Sequence, residues 1–258
     1  MNLTQKSLWL PLVLWRIRCE WKRELKRSLL GMTWWFLEPL LYLLAFYAVF
    51  GLGFRSGTPG FVAFLLCGLV SWKWFSATLA TSAGAITAHR NLIGQVRCPK
   101  WIFSGVVFGS NLVKFLILLL VLLCLLPLMG ESPLASWWHL LWVIPVHGVF
   151  ILGFSILTSA LCPFLPDLRI LINHGLIVLM FGSGLTFDVR LLDPTIKPWM
   201  DWNPVSVLFL SFRLPLLEGI APPVAPLMGV LALGLLLGLL GVFLLKRWDG
   251  TYAKLEMY

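Results

Sequence analysis

The chain has 258 residues, 59% hydrophobic and 12% charged, with a mean hydropathy of +0.90. Soluble domains are roughly half apolar and a quarter charged, so a water-soluble fold is excluded, and the length allows several membrane spans of about 20 apolar residues each. A formal charge of +9 would suggest nucleic acid in a soluble protein, but in a membrane chain lysine and arginine first report orientation, and no nucleic-acid partner is expected.

The first residues, MNLTQKSLWL, run into a charged stretch rather than a short apolar core with a small-residue cleavage site, so no removable signal peptide is expected. From residue 8 to 28, Leu10, Leu14, Ile17, Trp21 and Leu25 fall within one narrow arc at helical spacing. Arg16, Arg18, Lys22, Arg23, Lys26 and Arg27 lie outside it. Such a helix is too charged to cross a bilayer and too apolar on one side for water, so it is expected in the headgroup plane.

Six apolar runs follow at 34–54, 61–83, 103–129, 138–163, 170–188 and 225–245. The expected fold is an all-α membrane protein of three parts. These are a cytosolic N-terminal segment (1–33) bearing the interfacial helix, a six-helix transmembrane domain (34–246), and a cytosolic tail (247–258). With the N-terminus inside, 14 of the 20 lysines and arginines lie on the cytosolic side, and Arg55, Arg190, Lys197 and Arg213 lie outside. That bias places both termini in the cytosol. Lys73 and Lys114 fall inside spans, where a cation costs about 3 kcal/mol and usually faces a cavity, a partner or water. Glu38, beside Pro39, is a candidate partner.

Two segments are more than simple loops. The stretch 85–100 is polar and basic but carries Leu92, Ile93 and Val96, enough for a short helix on the cytosolic face before Pro99 stops it. Residues 189–224 are rich in proline, tryptophan and turn residues. Their apolar run, Val205 to Leu217, is too short to span, so one or two short re-entrant or interfacial helices are expected at the outer mouth, between the fifth and sixth spans.

The order of parts resembles the membrane subunit of ABC exporters for O-antigen, capsule and teichoic acid chains. The stretches that carry the resemblance are RSLLGMTWWFLEPL (27–40), NLIGQVRCPKWIF (91–103) and WNPVSVLFLSFR (202–213), and with the spacing of the spans it covers nearly the whole chain. The loop reads Cys98-Pro99-Lys100 where the family more often has an aromatic or aliphatic residue before proline. The resemblance implies a homodimer bound to two copies of a separate cytosolic ATPase, passing a lipid-linked polysaccharide across a bacterial inner membrane. It also implies that 85–100 is the coupling helix seated on the ATPase, with Asn91, Leu92, Ile93 and Arg97 as its contact residues. The sequence agrees in one respect: no GxxxxGK[ST] loop occurs and Gly-Lys is absent, so ATP and Mg are expected on the partner and no cofactor on this chain.

Arg23, Lys26 and Arg27 at the cytosolic boundary can pair with a phosphate or diphosphate headgroup, although orientation alone would also explain them. Trp34, Trp35, Tyr42, Phe46, Trp72 and Trp74 crowd the first two spans, where ring faces suit sugars. Asn203, Pro204, Phe212 and Arg213 are the expected outer gate.

Other chemistry is not signalled. The five cysteines, Cys19, Cys67, Cys98, Cys124 and Cys162, form no CxxC pair, and the four histidines are scattered, so no metal site is expected. The pairs Gly105/Gly109 and Gly234/Gly238 have the spacing of close helix packing, with a dimer seam as one possible use. A catalytic residue is not expected, for want of a His, Asp or Glu cluster at one membrane face. An ion-coupled secondary transporter is the alternative, with only Glu38 and Asp188 as acids in or beside spans.

Overall fold

The computed structural model describes residues 9–27, 31, 33–49, 60–89, 99–131 and 135–254, and among them the chain is helical with no strand. It opens with α1 (Trp9–Arg27) and α2 (Thr33–Phe46), followed by α3 (Phe61–Ser82), α4 (Trp101–Leu128), α5 (Leu140–Leu161) and α6 (Pro166–Gly182). Then come α7 (Lys197–Asp201), α8 (Pro204–Arg213), α9 (Val224–Arg247) and α10 (Asp249–Lys254). Single turns at Thr87–His89, Ala135–His139, Val189–Leu191 and Leu214–Glu218 link them.

Among the described residues, four segments are long and apolar enough to cross a membrane: α3, α4, Ala135–Leu161 with α5, and α9. The other two apolar runs form shorter helices, α2 with 14 residues and α6 with 17. The limits of α6 have local causes. Pro166 fixes the start of α6, because its φ is preset and its missing N–H is not needed in a first turn. Just past the end of α6, Gly184 adopts φ +83°, a conformation that side chains disfavour, and a Cβ there would run into Val189 and the Phe187 carbonyl. Residues 183–188 therefore turn back instead of extending the helix.

The core is built around α3, with buried rings from several helices meeting. Trp74 stacks on Phe115 at 4.3 Å, Phe75 on Phe150 at 5.8 Å, and Phe115 meets Phe212 edge-on at 5.8 Å. Hydroxyl pairs tie the helices laterally, Ser82 with Ser155 and Ser104 with Ser159, both at 2.5 Å. Such small polar residues let backbones approach closely in lipid. Their clearest use is the seam between α5 and α9. A Cβ on Gly153 would strike the Gly234 carbonyl oxygen, and one on Gly234 would lie 2.5 Å from Phe150 Cα. The Gly234/Gly238 pair is thus spent on packing within the chain. Of the other pair, Gly109 receives Ile17 of α1, whereas Gly105 has nothing within 4 Å.

The apolar arc of α1 is divided. Ile17 and Trp21 turn onto α4, where the Trp21 Nε1–H donates to Ser110 Oγ at 2.8 Å, while Leu14 and Trp15 stay exposed. Leu10 and Leu25 have side chains outside the described residues. One end of the bundle, here the basic end, gathers α1, the end of α3, the start of α4, the α5–α6 junction and α10. The opposite end gathers Ala135–His139, residues 183–191 and the α8–Glu218 segment, pinned where Ser136 Oγ donates to the Pro215 carbonyl at 2.7 Å.

Candidate functional site

At the basic end, α1, the α3 terminus, α4 and α6 enclose a cleft of about 800 Å³. Arg16 and Arg23 come from α1, Lys114 from α4 and Arg169 from the first turn of α6; against these cations Glu20 is the one acid among the described lining residues. Glu20 is shared, lying 3.3 Å from Arg23 and 3.7 Å from His89. His89 is oriented by its Nδ1, 2.8 Å from the Ala85 carbonyl, and stacks on Phe103, over which Arg16 also lies. Gly84 leaves room for the Arg169 guanidinium, which approaches to 3.7 Å of the place a Cβ would take. Asn111, also in the lining, donates from Nδ2 to the Val107 carbonyl at 3.0 Å and to Thr81 Oγ1 at 3.3 Å. A cleft of this size with forked and point cations around it suits a phosphate-bearing headgroup.

The cleft continues into the helices. Thr81, Asn111 and Lys114 also line a cavity of about 170 Å³ with Trp35 and Trp74, and Glu38 and Lys73 join that cavity to one of about 50 Å³ beside Tyr42 and Trp72. Lys114 lies 5.0 Å from the Trp35 ring, a cation–π contact. The partner expected for an intramembrane lysine is present: Glu38 of α2 forms an ion pair with Lys73 of α3. Together these residues make a polar and aromatic track leading from the basic end along α2, α3 and α4.

At the opposite end, Arg213 closes α8 and is almost wholly buried. Its guanidinium donates to three backbone carbonyls, Phe64 at 3.2 Å, Gly184 at 2.6 Å and Leu185 at 2.5 Å, and lies over the Phe64 ring. Gly68 makes this possible, because a Cβ there would meet Arg213 Nη2 at 2.5 Å. Asn203 caps α8, accepting from Val205 N at 3.0 Å and donating to Ser183 Oγ at 3.0 Å. Nearer the surface, Arg190 bridges Asp188 and Glu218. Burial pushes the Asp188 carboxyl up, but hydrogen bonds from the Arg190 side chain and backbone outweigh it and hold the carboxyl below its ordinary value. The two acids in turn raise Arg190.

The expected site residues distribute as follows. Arg23 lines the large cleft and Lys26 is exposed beyond it, while the Arg27 side chain lies outside the described residues. Trp35, Trp74, Tyr42 and Trp72 line the inner cavities, Trp34 is 43% exposed and lines neither, and the Phe46 side chain lies outside the described residues. Asn203, Pro204, Phe212 and Arg213 come together in and around α8, with Phe212 fully buried against Phe115 and His147. Asn91, Leu92, Ile93 and Arg97 lie outside the described residues. Sequence reasoning missed Arg16, Asn111 and Arg169 as cleft residues. The available signal was that Arg169 is a lone cation in its inter-span break, three residues after the helix-starting Pro166.

Over residues 12–217 the chain matches the family described as ABC-2 type transporter. It is similar to the O-antigen export system permease protein RfbA of Myxococcus xanthus, 27% identical over 226 residues and 86% of each chain. It is also similar to two proteins of that name from Klebsiella pneumoniae, 26% identical over 77% of each chain and 27% identical over 74% of each chain.

Proposed function

This chain belongs to the ABC-2 type transporter family of membrane proteins, and from that premise we propose that it is the transmembrane subunit of an ATP-driven exporter. The cargo is a lipid-linked polysaccharide of the O-antigen or capsule type, moved from the cytosol across a bacterial inner membrane. The observation that carries the reading is the cationic cleft of about 800 Å³ opening onto an aromatic-lined track, in a chain whose relatives are named for O-antigen export. The phosphate group of the lipid carrier docks among Arg16, Arg23 and Arg169, and the glycan follows past Lys114 and the aromatic residues Trp35 and Trp74.

In this reading α2 and α6 complete a six-span bundle, tilting or thinning the local bilayer to make up their length. The basic end faces the cytosol, as the distribution of lysine and arginine demands. The segment 189–224 re-enters the outer mouth, and Asn203, Pro204, Phe212 and Arg213 hold it closed at rest. Two copies of the chain form the conduit, and two cytosolic ATPase subunits supply ATP and Mg. They engage residues 85–100 through Asn91, Leu92, Ile93 and Arg97. The chain catalyses nothing itself. An ion-coupled carrier is disfavoured because its best candidate acid, Glu38, is already paired with Lys73.

The test is complementation. A strain lacking this chain's gene loses surface glycan and regains it with the wild-type chain only when the partner ATPase can hydrolyse ATP. Export that persists with a hydrolysis-dead ATPase, or that follows the proton gradient instead, rules the proposal out.

A further inference from the structure

Residues 248–252 are packed against the basic end. Lys100, 7% exposed, donates through Nζ to the Asp249 backbone oxygen at 2.7 Å and pairs with the Asp249 carboxylate. The same ammonium lies 5.3 Å from the centre of the Tyr252 ring. Tyr252 is buried, and its hydroxyl donates to the Ala160 carbonyl at the end of α5, 2.8 Å away. Phe164 meets both Trp248 and Tyr252, with ring centres 4.7 and 4.9 Å apart. Ile86 belongs to the same small apolar cluster as Ala160, Leu245 and Tyr252, separate from the main core.

Ile86 stands at the start of the 85–100 segment and Lys100 at its end. Both are therefore anchored at one place, the short helix α10. With six residues, α10 gains little from helix propagation alone; backbone bonds through Trp248 join it to α9, and the contacts above hold it against α5 and Lys100. Two kinds of contact carry it. The Asp249 carboxylate is two-thirds exposed and screened by water, so its share is small. The backbone acceptor for Lys100 and the buried Tyr252 hydroxyl are shielded and contribute more.

We propose that α10 is a clasp for the coupling segment, with Lys100 and Tyr252 as positioning residues. They fix both ends of 85–100 to α5 and α9, so that a push on the segment moves α4, α5 and α9 together instead of bending the loop. This rests on the coupling role proposed above for Asn91, Leu92, Ile93 and Arg97. It goes beyond that role in assigning a function to α10, which lies in the segment 247–258 read from the sequence as a cytosolic tail.

The experiment uses the full chain with its ATPase in cells and in purified complex, and reads three quantities: membrane amount, ATPase co-purified, and ATP hydrolysed per glycan exported. Lys100→Met and the milder Tyr252→Phe, which removes only one hydroxyl, are expected to keep the first two at wild-type levels. They should raise ATP consumed per glycan by about fivefold or more, the size of a coupling loss, and Lys100→Arg should restore most of it. Leu92→Glu with Ile93→Glu serves as the separate probe of the coupling role and is expected to strip the ATPase away. An unchanged ATP-to-glycan ratio in both Lys100→Met and Tyr252→Phe, with the ATPase lost from the Leu92/Ile93 variant, overturns the clasp alone. Retained ATPase and export in the Leu92/Ile93 variant overturns the coupling role, and the clasp with it.

Discussion

Replacing Arg213 by methionine removes the group that satisfies three backbone oxygens at once, at Phe64, Gly184 and Leu185. The side chain is 5% exposed, so water has little access to the carbonyls it leaves behind. The Phe64 carbonyl keeps its helix partner within α3, whereas those of Gly184 and Leu185 have none; an unpaired buried acceptor costs about 1–3 kcal/mol, and two of them, less the relief of no longer burying a charge, leave a net loss of about 3 kcal/mol. That is roughly a hundredfold shift in the balance between a packed and a loosened α8. Arg213→Lys keeps the charge but not the fork, so it recovers only part of the loss. In detergent, the methionine variant should unfold about 6–12 °C below wild type, at about 2–4 °C per kcal/mol for a chain of this size. Proteoliposomes carrying it should also leak ions that the wild type retains. A variant with the wild-type unfolding temperature and tight vesicles would show that the three-carbonyl contact neither stabilises the fold nor seals the mouth.

Four further outcomes are expected. Gly234→Ala forces a Cβ against the Phe150 backbone and should cost about 1–3 kcal/mol in thermal unfolding, while Gly105→Ala, with open space around it, should not destabilise. Lys73→Met strands Glu38, and because Glu38 is 42% exposed the loss should be about 1–2 kcal/mol; the double variant Glu38→Gln/Lys73→Met should lose less than the sum of the singles in a stability cycle. Neutralising Arg16 or Arg169 should raise the lipid-linked substrate needed for half-maximal export about tenfold per cation, with membrane amount unchanged. Because Asp188 titrates below its ordinary value of 3.8, its share of stability is present above about that pH and is lost as pH falls further. Acid titration of unfolding should show this loss in the wild type and not in Asp188→Asn.

Much of the helical plan was legible from local composition. The run 61–83 coincides with α3 within a residue, because Gly60 at φ +87° starts the helix and its body is uniformly apolar. The run 170–188 was displaced from α6, because hydropathy sees Leu185 and Phe187 as span residues and not the turn that Gly184 imposes. The glycine pair at 234 and 238 signalled close approach, but the spacing could not say that Gly153 of the same chain was the counterpart. That Pro204 and Arg213 share one short helix capped by Asn203 was readable because Asn-Pro is a helix start and Arg213 follows ten residues on. The cleft was not, since Arg16, Lys114 and Arg169 are separated by scores of residues and only packing brings them together. The same holds for Lys100 and Asp249, 149 residues apart.

If this chain moves a lipid-linked glycan with energy from a second protein, transport must depend on both. Purified chain, reconstituted into liposomes with fluorescent lipid-linked glycan in the outer leaflet on the ATP-accessible side, tests this dependence most directly. Glycan should become protected from external glycosidase only when both the ATPase subunit and ATP are present, and not with the chain alone or with a non-hydrolysable nucleotide. Equal protection from the chain by itself would contradict the account.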